Sequence, residues 1–325
     1  MTNWPGSTSL RLGALIGHLP TAVAVGLIGY AIVAGGYFVA LAGFALIYAV
    51  FVTGLNVFMG YAGQATFGQN AFAAIGGYTS AVLTTAFGWP PVPALMIGIC
   101  GAVLCALVIG YPTLRLKGHY LAMGTLAIGL IVYEVTVQWQ SVTQGYMGIS
   151  GIPPLGVGEW EAASDRAQLV LLSIVCVLCM ISAKLIRNSR LGRALVALSG
   201  SEDAARALGI DVAHYKLIAF VLSAAIPGMV GAVMALRSTY FVVGQVFDPM
   251  VSVTVIAMAL IGGGDTARGP VLGVLFLALM SELLWAQAPL LYMIILGAIL
   301  VVFVLLVPDG VIGLAKRLRR RGAAA

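Results

Sequence analysis

Four cysteines, three histidines and 11 carboxylates are the groups of this chain that could bind metal, carry redox chemistry or move protons. Their spacing speaks against all three. Cys176 and Cys179 have C-x-x-C spacing, a redox or metal signal in a soluble protein, but they sit in an apolar run with no histidine or carboxylate neighbours, as do Cys100 and Cys105. They read as small hydrophobes. His18, His119 and His214 are far apart in sequence, which argues against a metal site. No G-x-x-x-x-G-K-[ST] is present, and Gly262-Gly263-Gly264-Asp265 lacks the lysine a phosphate cradle needs. No catalytic residue, cofactor site or metal site is expected in the chain itself.

Composition explains why chemistry is so sparse. The chain is 61% hydrophobic and 9% charged, against about 25% charged in an ordinary soluble domain. Apolar runs long enough to cross about 30 Å of hydrocarbon recur along it. Only helices or closed barrels satisfy their backbone there. The runs are Pro20–Ala34, Tyr37–Met59, Gln69–Phe87, Pro93–Tyr111, Tyr120–Trp139, Gln168–Leu185, Leu217–Leu236, Met250–Ile261, Pro270–Trp285 and Leu290–Val307. The first and eighth are the shortest signals. The expected fold is all-α, a polytopic transmembrane bundle of about 8–10 spans forming one domain over 1–325.

Charge orients the bundle, because cytoplasmic loops collect Lys and Arg. With the N-terminus inside, 15 of the 17 basic residues fall in inside segments, and only Arg166 and Arg237 fall outside. The outside segment 141–167 carries Glu159, Glu161 and Asp165. Both termini are therefore expected to be cytoplasmic, with an uncleaved first span. The net charge of +6 is spread along membrane borders and does not read as a nucleic-acid footprint. The basic tail, 309–325 with Lys316–Arg321, suits anionic membrane lipid.

Two stretches remain that could carry function. Gly54–Ser80 is rich in glycine and small polar residues. Gly60–Gly68 reads either as a re-entrant turn beside a pathway, where non-helical backbone is tolerated, or as a close helix-packing segment. In the first reading Asn56, Gln64, Thr66, Gln69 and Asn70 line the pathway. Glu134 and Glu282 lie near the outer ends of their spans and read as interfacial acids more than as a proton relay.

The second stretch is a polar island, 184–216, reading N-S-R-L-G-R-A-L-V-A-L-S-G-S-E-D-A-A-R-A-L-G from Asn188 to Gly209. Two short helices are predicted, Arg190–Leu198 and Glu202–Leu208, separated by Ser199-Gly200-Ser201. Ser201 is the N-cap, Glu202 and Asp203 occupy the first turn, and Gly209 terminates. Ala204, Ala205 and Leu208 share a small apolar face that admits close approach of another protein. A helix resting on lipid would carry larger apolar residues.

Here the residues carry a resemblance. Asp203-Ala204-Ala205 followed three residues later by Gly209 is similar to the E-A-A-x-x-x-G loop of ABC importer permeases, with Asp for Glu. The string R190–A235 with G-I-D-V-A-H-Y-K-L-I-A-F-V-L-S-A-A-I-P-G-M-V-G-A, the run L-N-V-F-M-G-Y-A-G-Q-A-T-F-G-Q-N-A-F-A-A-I-G-G-Y, and R-L-K-G-H-Y-L-A-M-G-T-L-A from Arg115 resemble the branched-chain amino acid ABC permease family over about residues 40–310. The segment T-Q-G-Y-M-G-I-S-G-I-P-P from Thr143 resembles the outside loop of its LivM-like members. It departs at one point, Gln144-Gly145 standing where a glycine pair is usual.

The resemblance implies a permease subunit in a bacterial inner membrane. Its expected partners are a second, LivH-like permease, two cytoplasmic ATPase subunits that hold ATP and Mg, and a periplasmic substrate-binding protein. It implies that Arg193, Glu202, Asp203, Ala204, Ala205 and Gly209 form the ATPase-coupling surface. Leucine, isoleucine and valine are the implied cargo, with urea or short amides as the alternative. A stand-alone secondary carrier or channel is the competing class, and would need coupling ions and inverted repeats. A membrane-embedded enzyme lacks any suitable residue cluster.

Overall fold

The computed structural model describes residues 36–157, 160–161, 164–238, 240–242, 248–263, 269–287 and 291–306, with single positions 29, 244 and 310. The expected first span, Pro20–Ala34, and the basic tail, 309–325, fall outside the described residues apart from Gly29 and Gly310.

The described chain is a multi-pass membrane bundle. Its apolar runs become α1 (Tyr37–Asn56), α2 (Gln69–Thr85), α3 (Pro91–Thr113) and α4 (His119–Gln138), then α5 (Gln140–Thr143), a single turn. The segment after α5 forms β1 (Ile149–Ser150), β2 (Gly156–Val157) and β3 (Trp160–Glu161). α6 (Asp165–Asn188), α7 (Arg190–Gly200), α8 (Glu202–Ala207) and α9 (Val212–Arg237) follow, then β4 (Tyr240–Phe241) and α10 (Pro249–Gly262), α11 (Gly269–Gln287) and α12 (Tyr292–Leu306). Five of these are at least 20 residues long and apolar enough to cross a bilayer, α1 being continued by a π-helical turn, Val57–Tyr61.

Helix starts follow their capping chemistry. Ser164, Ser189, Ser201, Asp211 and Asp248 each accept a hydrogen bond from a backbone N–H two or three residues on, satisfying donors a helix start leaves open. Pro91 and Pro249 stand at first helical positions, where the missing N–H costs nothing.

α9 is the central element, packed on α1, α2 and α3. Glycine lets backbones meet there, as bilayer packing requires without a hydrophobic drive between helices. A methyl at Gly231 would fall on the Ala73 carbonyl, and one at Gly76 on the Gly228 carbonyl. Where α9 crosses α1, a Cβ at Gly54 would lie 2.9 Å from Pro227 Cδ. α10 and α11 repeat the device through Gly262, Gly269 and Gly273.

Contacts between distant segments test the layout read from charge, since each must join segments assigned to one side. β1 pairs antiparallel with β4, Ile149 opposite Phe241. Gln168 and Arg237 are hydrogen-bonded at 2.9 Å, Leu155 N donates to Leu236 O, and the Tyr37 hydroxyl donates to Glu282. All of these join segments assigned outside. Gln64 and Glu202, and Gly63 and Ser199, join segments assigned inside. Glu134 is exposed and accepts from Gln138, in keeping with an interfacial acid.

Candidate functional site

The two stretches singled out by sequence meet at one end of the bundle. α1 does not simply stop. Its last turn widens into the π-helical Val57–Tyr61, and the chain then runs without regular structure through Gly63–Phe67 before α2 begins. Gly63 takes φ +67, the left-handed backbone that glycine tolerates. π turns mark places where a helix is locally under-constrained. The helix is thus broken within Gly60–Gly68, and the glycines that pack on α9 are Gly76 and Gly77 of α2 beyond it.

The island folds onto this break. Helix α7 runs through Ser199 and Gly200, so the expected three-residue interruption contracts to Ser201, whose hydroxyl caps α8 by accepting from Ala204 N. Gly209 follows with φ +81, and Ile210 N donates back to Ala205 O, a glycine-terminated C-cap. Leu195 and Leu198 of α7 and Ala205 of α8 are fully buried with Phe58, Tyr61 and Phe220. The rings of Phe58 and Phe220 stand edge-on at 5.2 Å, and the Arg187 guanidinium lies over Tyr61.

One face of α8 is therefore inside. Glu202 and Ala205, three residues apart, share it. Ala205 is 1% exposed. Glu202 Oε1 accepts from Gln64 Nε2 at 3.1 Å and lies 2.5 Å from Lys216 Nζ, whose side chain is 3% exposed. This differs from the expected grouping of Ala204, Ala205 and Leu208 on an outward face. The Glu202 anchor rotates the helix so that Ala205 turns in, while Asp203, Ala204, Arg206 and Leu208 stay out, Leu208 at 79% exposure. Arg193 is also exposed, donating to Asn188 O.

The residues expected to line a pathway are all buried, and three of them, Gln64, Gln69 and Asn70, bond to distant segments. Gln64 bonds Glu202 as described. Gln69 Nε2 donates to Ser223 on α9. Asn70 accepts from Ser252 Oγ at 3.0 Å, joining α2 to α10, and a Cβ at Gly129 of α4 would meet it. Thr66 Oγ1 accepts from Gly68 N, Phe67 N donates to Thr125 on α4, and Asn56 is 2% exposed in α1. The polar network is not saturated. Gln64 Oε1, Gln69 Oε1 and Glu202 Oε2 are buried without a protein hydrogen-bond partner.

Mechanically, the arrangement links an exposed helix face to the break in α1. Glu202 joins α8 both to Gln64 and to Lys216 at the foot of α9. Lys216 is the residue sequence reasoning missed, having counted it only as loop charge. A signal was present: a lysine in the early turns of a helix opposes the helix dipole and asks for an acid partner.

Comparison with known proteins gives the same outline. The family model described as "Branched-chain amino acid transport system / permease component" matches residues 37–304. The chain is 31% identical, over 86% of its length and 71% of the relative's, to the high-affinity branched-chain amino acid transport system permease protein LivM of Escherichia coli. It is 27% identical to LivH of the same organism, covering 82% of this chain and 91% of that one. A probable LivM of Methanocaldococcus jannaschii is 26% identical over 58% of the chain. No solved structure matches.

Proposed function

The chain belongs to the branched-chain amino acid transport permease family, and from that premise we propose that it is one membrane-spanning half of an ATP-driven importer. Its cargo is leucine, isoleucine and valine, the branched-chain amino acids for which its relatives are named. Likeness to both LivM and LivH supports pairing with a second, LivH-like permease. Two ATPase subunits on the cytoplasmic side hold ATP and Mg, and a periplasmic binding protein delivers cargo. The membrane is the bacterial inner membrane, with both termini in the cytoplasm.

The observation that carries this reading is the helix α8, whose inner face is locked to the bundle by Glu202 and Ala205 while Ala204 and Leu208 face away uncovered. A short helix anchored on one face and open on the other is built to pass displacement of a docked partner to the bundle. Closure of an ATPase dimer draws the α8 helices of the two permeases together. Glu202 passes the displacement to Gln64 and Lys216, and the break after α1 shifts relative to α9. Such a device biases two states only by the partner's differential affinity for them. The coupling surface comprises Arg193, Asp203, Ala204 and Leu208 outward, with Glu202, Ala205 and Gly209 setting its pose.

The test is purification of the tagged chain from its native host, with and without Ala204→Glu and Leu208→Glu. Co-purification of an ATPase and a second permease, lost in the variants, is the expected result. Recovery of the chain alone in every form would overturn the importer reading. In proteoliposomes of the assembly, ATP-dependent uptake of leucine but not urea assigns the cargo; the reverse preference overturns it.

A further inference from the structure

A cleft of about 500 Å³ opens beside the α8 junction, between the end of α3, α8 and the start of α9. Its size is that of a small-ligand site. Its walls divide by chemistry. Gly110, Leu114 and Leu217 give an apolar floor, while Arg115, Lys117 and Arg206 bring basic groups to the rim, with His214 beside them. Lys216 and Glu202 also reach the cleft but neutralise one another. Arg206 meets Asp203 at 3.2 Å, an exposed pair that leaves both groups largely in solvent. Arg115 stacks on Tyr111. The rim is therefore cationic, and it selects an anion.

The approach to the cleft decides which anion. The outer wall of α3 leading into it is exposed and apolar: Leu107, Val108 and Tyr111 all stand open, Val108 at 74%. On a membrane-spanning helix such a wall faces acyl chains, and a basic pocket between spans at their end is suited to an anionic headgroup. We propose that this cleft binds one anionic phospholipid, its phosphate held by Arg115, Lys117 and Arg206 and its chains lying along α3. The assignment of this end to the cytoplasmic leaflet rests on the function proposed above; the binding chemistry does not. Because Arg206 belongs to α8, an occupied cleft braces the helix that the importer reading gives to the ATPase.

The experiment is native mass spectrometry of the full chain, in the assembly it purifies with, after exchange into detergent supplied with phosphatidylglycerol or phosphatidylcholine. One tightly retained phosphatidylglycerol is expected. Arg115→Gln with Lys117→Gln, both at exposed positions, lowers its affinity about 30-fold, the effect of two basic residues at a headgroup. The same replacement of Lys316 and Arg317 does not. Unchanged melting of the purified double variant separates lost binding from lost fold. Equal retention of phosphatidylcholine, retention unchanged in the double variant, or displacement by millimolar inorganic phosphate would each overturn the lipid assignment. Loss of ATPase co-purification with lipid still bound would instead tell against the importer reading.

Discussion

Lys216 Nζ and Glu202 Oε1 lie 2.5 Å apart at the foot of α9, the lysine side chain almost wholly buried and the glutamate mostly so. The pair closes the loop between α8 and α9 and holds the face of α8 that carries Ala205. Removing one member of a buried pair strands the other, at about 3–5 kcal/mol, whereas replacing both by apolar groups of similar volume is often neutral. Lys216→Met should therefore lower thermal stability in detergent sharply, and Glu202→Leu combined with Lys216→Met should recover most of it. A double variant no more stable than the single would sink the claim that the pair, and not lysine packing, holds the loop.

The importer reading adds a second expectation for the same variants. The double variant restores stability without restoring the hydrogen bond from Gln64 to Glu202. It should keep its ATPase yet transport slowly, because the link from α8 to the break after α1 is cut. ATPase activity in the assembly that no longer responds to loaded binding protein would mark this uncoupling. Normal uptake by the double variant would show that motion reaches α1 by another route.

Gly209 sets where α8 ends. Its φ of +81 has no steric crowding around it, since a Cβ there would meet nothing within 4 Å. The demand is purely on the backbone, and left-handed geometry costs an L-residue about 1–2 kcal/mol, more for β-branched side chains. Gly209→Val should displace the end of α8 and weaken ATPase co-purification, while Gly209→Asn, which tolerates this conformation, should largely keep it. Undiminished co-purification of the valine variant would count against Gly209 as the terminator that poses the docking helix.

How much of this was legible in the sequence differs by kind of interaction. The described spans were, because a bilayer demands long apolar runs: Gln168–Leu185 became α6, Asp165–Asn188, and Pro270–Trp285 became α11, Gly269–Gln287. The α8 caps were too, since Ser201 and Gly209 act through local backbone. The inward turn of Glu202 was not, because it is decided by Lys216, 14 residues on, and Gln64, 138 residues away. Nor were the bonds of Gln69 and Asn70 to Ser223 and Ser252 in other helices. Long-range polar pairing leaves no period in a sequence.

Close glycine packing gives a test of the bundle independent of function. Gly231→Ala would drive a methyl into the Ala73 carbonyl of α2, and overpacking of this kind costs about 1–3 kcal/mol or more. A Cβ at Gly297 in α12 would meet nothing within 4 Å, so Gly297→Ala should be tolerated. Yield and melting temperature of the two variants should part clearly; equal behaviour would mean α9 and α2 do not touch as described.

Gln144, where the resemblance led us to expect a glycine, is among the described residues the one non-glycine with positive φ, at +59. Gly145 follows at φ +57, so two successive residues hold the left-handed conformation. Their turn is fixed by Thr143, whose hydroxyl donates to Thr136 O at 2.6 Å and accepts from Gly145 N. The glutamine bears about 1–2 kcal/mol for this backbone. Gln144→Gly should raise the melting temperature of the purified chain. The Gln144 side chain is exposed next to Tyr146 and Met147, on the face the importer reading gives to the binding protein. The same variant should therefore stabilise the protein while reducing uptake driven by the binding protein. A gain in stability with uptake unchanged would leave the strain without that function, and no gain in stability would refute the strain itself.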